Sequence, residues 1–80
     1  MQYQLEYWQS SSWVKNTRFY SIRLCQNLFG HWIVQRTWGR NQTKGAGQSL
    51  TTDCKDYQQG LVLFQEQQAR RLKRGYVRSR

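Results

Sequence analysis

The sequence predicts an α+β domain: a small antiparallel sheet of four to five strands with one long helix packed on one face. Three observations point there. Apolar and polar residues alternate with a period of two through much of residues 1–52, which is the signature of half-buried strands. After residue 53 the period changes to that of a helix. The order, strands first and then one helix, favours segregated layers over alternating βα units.

The elements follow in turn. Tyr3, Leu5 and Tyr7 alternate with Gln2, Gln4 and Glu6, predicting a first strand. Ser10, Ser11 and Ser12 predict a loop. Alternation returns over residues 15–25, where Tyr20, Ile22 and Leu24 share one face and Ser21 and Arg23 the other. Residues 27–30 predict a turn, and residues 31–38 a third strand rich in aromatic and β-branched side chains. Residues 39–47 hold three glycines and predict a basic-edged loop. Residues 48–52 predict a weak fourth strand. Asp53 is the expected helix N-cap, with Asp56 near the positive dipole end. Tyr57, Leu61, Phe64 and Leu72, with Gln68 between, predict the buried stripe. Gly60 has two readings: a helix weakened by about 1 kcal/mol relative to Ala, or instead close approach to the sheet. Gly75 is the expected left-handed stop, and residues 76–78 a short final strand.

Eighty residues carry four Trp, five Tyr and three Phe. Large rings give a short chain much burial per residue. One domain over residues 1–80 is expected, ending in a basic tail over residues 70–80. Thirteen Lys and Arg face four Asp and Glu, for a formal charge of +9. Such a balance speaks of partners rather than fold, and polyanions are the natural ones. No acid occurs in residues 9–52 or 70–80. Whether these two stretches form one positive face is not decided by sequence.

Enzymatic chemistry lacks its usual parts. His31 is the single histidine, and one imidazole without a second acid–base group satisfies no catalytic geometry. There is no phosphate-binding glycine loop and no Cys/His metal spacing, so no cofactor is expected. Cys25 and Cys54 could pair, but two reduced, half-buried thiols are the expected state. No signal peptide or membrane span is evident, so a cytoplasmic protein is expected, without membrane or small-molecule partners.

The informative segment is residues 32–40. Unbroken alternation places Trp32, Val34, Arg36 and Trp38 on one face, continued by Arg40. Guanidinium groups fork onto phosphate, and an indole can stack on a sugar or base. Trp32 is expected in the core and Trp38, at a strand end beside Gly39, at the surface. The strand ending Trp38-Gly39-Arg40 resembles the signature of the WGR domain family. The likeness extends to Phe19-Tyr20-Ser21-Ile22-Arg23-Leu24 before it, to Ala46-Gly47-Gln48 and Phe64 after it, and to Lys73-Arg74-Gly75-Tyr76-Val77 at the close. It resembles the bacterial stand-alone members.

The resemblance implies a sheet-plus-helix fold and recognition of DNA breaks, as in poly(ADP-ribose) polymerases, where the signature Trp packs on a terminal sugar. That role falls on Trp38 and a supporting one on Arg40; Arg36 matches a common family Arg. The family's aliphatic-Gly continuation is replaced here by Asn41-Gln42, with a longer loop. The polymerases' catalytic activity does not carry over. The expectation is a non-enzymatic module binding duplex DNA ends with little sequence specificity. Trp38, Gly39, Arg40, Arg36 and Lys44 form its site, and Arg70, Arg74 and Arg78 add sequence-independent affinity. A protein-interaction module and an RNA-binding sheet face are the alternatives.

Overall fold

The computed structural model describes residues 3–40 and 47–79. Five antiparallel strands form one sheet: β1 (Gln9–Lys15), β2 (Arg18–Gln26), β3 (Trp32–Arg40), β4 (Gly47–Asp53) and β5 (Val77–Arg78), in the order β4-β3-β2-β1-β5. One helix, α1 (Tyr57–Lys73), packs on β2 and β3. The α+β expectation holds, with five strands.

The start of the chain differs from the sequence reading. Leu5–Tyr7 is one turn of 3-10 helix, not a strand. The buried Gln26 side chain holds this segment, its Oε1 accepting from the Gln4 N–H at 2.7 Å and the Trp8 indole N–H at 3.1 Å. The serines expected in a loop lie within β1. Ser12 pairs with Ser21 on the sheet face away from α1. Ser11 is buried and accepts a hydrogen bond from the Trp13 indole at 3.0 Å. Residues 15–25, read as one strand, contain the β1–β2 hairpin. Lys15 pairs with Arg18 across a two-residue turn at Asn16, whose φ is +56°. Asn tolerates that left-handed conformation better than most residues.

The 27–30 turn is present. Asn27 Oδ1 accepts from the N–H groups of Phe29 and His31, and Gly30 takes φ +80°. β3 runs two residues further than expected and includes Gly39 and Arg40.

Asp53 closes β4 and does not cap the helix; Asp56 does, its carboxylate accepting from the Gln59 N–H at 2.9 Å. The buried stripe of α1 is Gly60, Phe64, Gln67 and Arg71, while Leu72 is 63% exposed. At Gly60 the helix lies close against Leu24. A Cβ at residue 60 would sit 2.6 Å from Leu24 Cδ1, so only glycine admits this approach. Gly75 ends the helix with φ +86°.

The core joins Trp13, Tyr20, Ile22, Leu24, Trp32 and Val34 to Phe64. Side chains alternate across the pleat, so the register sorts the α1-facing side into cross-strand rungs. One is Gln9, Leu24, Val34 and Thr52; the next is Ser11, Ile22, Arg36 and Leu50; the third is Trp13, Tyr20, Trp38 and Gln48. The last is Lys15, Arg18 and Arg40. Beyond the apolar rungs the face turns aromatic and then wholly cationic.

Candidate nucleic-acid interface

The cationic rung is unusual on physical grounds. Like charges directly opposite in a sheet destabilise it, yet Arg18 faces Arg40 on one side and Lys15 on the other. Lys15 finds a partner in the Arg74 carbonyl at 2.6 Å, at the end of α1. Helix C-terminal carbonyls attract cations, so this contact ties the helix end to the rung.

Between this rung and the last turn of α1 lies a cleft of about 400 Å³. Arg18, Arg36, Arg40, Arg71 and Arg74 line it together with Phe19, Tyr20, Trp38, Gly39 and Tyr76. Among the described residues no carboxylate lines it. Tyr20 is its hub. The Tyr20 ring stacks on Trp38 with centroids 5.9 Å apart and planes 16° apart. Tyr76 meets it edge-on at 6.4 Å. The Arg71 guanidinium carbon lies 4.0 Å from its centroid. The Tyr20 hydroxyl donates to Gln67 Oε1 at 3.4 Å and accepts from Arg36 Nη1 at 3.5 Å. Both Arg36 Nε and Arg71 Nε are buried without a hydrogen-bond partner among the described residues. A cleft lined by five arginines suits an anionic ligand.

The chain matches the WGR family model over residues 1–80. This protein belongs to the WGR domain family. Neither a curated protein nor a solved structure matches it. WGR domains are nucleic-acid-binding-type modules, and the signature tripeptide Trp38-Gly39-Arg40 of this one ends β3 at the cleft.

Of the eight residues singled out from sequence, Arg36, Trp38, Gly39, Arg40 and Arg74 meet in the cleft of this WGR domain. Arg70 lines a separate depression with Glu66, Ala69, Leu72 and Lys73. Arg78 lies on β5, paired with Trp13. Lys44 lies outside the described residues. Trp38 is half-buried rather than fully open, because Tyr20 covers part of it. Trp32 is core, as expected.

Sequence reasoning missed Arg18, Arg71, Tyr20 and Tyr76. The sequence reading placed Arg71 only within the basic tail of residues 70–80, whereas the WGR domain buries it to 6% exposure. Two aromatic faces replace its water. The available signal was the seven-residue spacing from Phe64 to Arg71, which keeps both on one helix face.

Cys25 and Cys54 are unlinked. Burial raises the pKa of both thiols, opposed at Cys25 by the nearby Arg23 charge. His31 is exposed, its ring 6.3 Å from that of Phe29. Among the described residues no three His, Cys, Asp or Glu gather into a metal site. No described helix is long and apolar enough to cross a membrane.

Proposed function

We propose that this domain binds duplex DNA at ends or breaks, with little sequence specificity and without catalysing a reaction. The supporting observation is the convergence of Trp38 with five arginines in one carboxylate-free cleft. Arg36, Arg40 and Arg74, with Arg18 beside them, neutralise backbone phosphates. Arg71 lends charge from below while holding Tyr20. Trp38 offers indole surface to the sugar or base at a strand terminus, backed by Tyr20. Stacking of this kind contributes about 1–3 kcal/mol per base. Phosphate contacts set position and affinity but carry no sequence information. The helix buries its stripe on the sheet, so it does not serve as a groove-reading helix. Lys44, Arg70 and Arg78 add diffuse attraction.

One titration panel tests the reading: a linear blunt duplex, a closed circle of the same sequence and the separated single strands, each at two salt concentrations. The linear duplex binds tightest per site, and log affinity falls by roughly 0.9 per phosphate contact for each log unit of salt. Equal affinity for circle and linear duplex rejects end recognition. Salt-insensitive binding, or none, rejects the polyanion reading altogether.

A further inference from the structure

β4 forms one edge of the sheet. Its seven residues pair with β3 in unbroken register, from Ile33 with Asp53 to Gly39 with Gly47. All but Thr52 are exposed. Among the described residues nothing pairs with its outer side. Natural sheet edges are usually blunted by lysine, proline, a bulge or a covering element. Residues 47–53 contain no Lys or Pro, the register has no bulge, and α1 packs over β2 and β3 instead. The opposite edge, β5, is two residues long.

A groove of about 440 Å³ runs between the end of β4 and α1. Thr52, Asp53, Cys54, Val62, Leu63 and Glu66 line it. Half of the acids in a chain that has only four are therefore gathered here. Val62 is 52% exposed, an apolar side chain left in water at the groove.

We propose that β4 and this groove take up an extended basic–apolar peptide segment of a partner protein, added antiparallel or parallel as a sixth strand. The unpaired backbone groups of β4 supply main-chain hydrogen bonds, and pockets for alternate side chains give selectivity. An added strand turns every second side chain toward α1. An aliphatic side chain there covers Val62 and Leu63, a Lys or Arg two residues along on the same face meets Glu66, and a Lys or Arg on the opposite face lies beside Asp53, which follows the α1-facing Thr52 and so points the other way. The charge selects this occupant over others. The two carboxylates repel a polyanion. A second copy's β4 holds no cation to answer them. The site is also separate from the basic cleft. β4 starts at Gly47, paired with the cleft residue Gly39, and its Asp53 end is about 20 Å away at strand rise. Both sites can be filled together.

The test uses amide NMR spectra of the full chain titrated with a capped hexapeptide of lysine and valine in the order Lys-Lys-Val-Lys-Lys-Val, which places both residue types on each strand face. Saturable shifts over residues 47–53 and 59–66 are expected. Asp53→Asn and Glu66→Gln should each weaken binding up to about fivefold, the range of a surface charge pair. The glutamate–valine counterpart should not bind. Two versions of the peptide, N-methylated at alternate positions, separate strand addition from simple charge attraction: one should lose binding and the other keep most of it. This arm holds even where a protein variant fails to fold. The proposal is overturned by absent shifts, by equal binding of both methylated versions, or by β4 shifts that grow with protein concentration alone, which would make a second copy the occupant.

Discussion

The guanidinium carbon of Arg71 lies over two aromatic rings, 4.0 Å from the Tyr20 centroid and 5.1 Å from that of Tyr76. A cation desolvated between two rings gains about 2 kcal/mol from their negative faces, and its aliphatic stem adds apolar contact. Arg71→Ala should lower unfolding free energy by about 2–3 kcal/mol, read from urea melts. Arg70→Ala, one residue away and exposed, should change it by less than about 0.5 kcal/mol.

Gly60 tests the packing of α1 on β2. Alanine ordinarily strengthens a helix interior by about 1 kcal/mol over glycine. Here the added methyl meets Leu24 Cδ1 at 2.6 Å, and Leu24 is fully buried. Overpacking of this kind costs about 1–3 kcal/mol. Gly60→Ala should therefore give a net loss of stability in the same melts, despite better helix propensity. A gain would show that the helix can ride outward freely.

The start of α1 offers a paired comparison. Asp56→Ala removes the carboxylate that accepts from the Gln59 N–H and should cost about 1 kcal/mol. Asp53→Ala removes an exposed side chain at the end of β4 and should cost clearly less. Thermal melts of the two variants side by side decide which aspartate is the cap.

Trp38→Ala should abolish most of the preference for ends over closed circles, lowering end affinity by roughly five- to hundredfold, the equivalent of about 1–3 kcal/mol. Its effect on circles should be small. Arg40→Ala should weaken both and reduce the salt slope by roughly 0.9. A Trp38→Ala protein that retains its end preference removes the indole from the proposed site.

The thiols give a pH-dependent prediction. Burial, the main cause, raises the pKa of Cys25, so the folded protein holds it protonated at pH values where a free thiol begins to ionise. Because the thiolate is the nucleophile, iodoacetamide labelling of the native protein should be slow. Its pH midpoint should lie above that of urea-unfolded protein. The sign for stability follows: the stabilisation is full below the unfolded thiol's pKa and is lost as pH rises through the folded value.

The sequence revealed most where chemistry and periodicity coincide. The Tyr20, Ile22 and Leu24 face, the residue 27–30 turn and the Gly75 stop were legible because each position has one physical reading. The aromatic–arginine strand of residues 32–40 was legible for the same reason, and it carries four of the five expected site residues that meet in the cleft. The first two elements were not. β1 shows serines on both its faces, so it lacks apolar alternation, and Tyr3, Leu5 and Tyr7 alternate without being buried. The helix stripe was misplaced because Gln67 and Arg71 are buried through Tyr20, a partner 47 residues or more away in sequence. Local pattern carries no trace of such a contact. Arg18 was passed over because its company, Arg40 and Lys15, exists only once the strands are in register.

That juxtaposition has a thermodynamic consequence. Three side chains of one sign, side by side across β1, β2 and β3, strain the unliganded sheet, and the strain relaxes when an anion settles among them. Occupancy and cohesion of the fold are then two readings of one equilibrium: whatever binds the folded cleft in preference to the unfolded chain raises the melting temperature in step with its concentration.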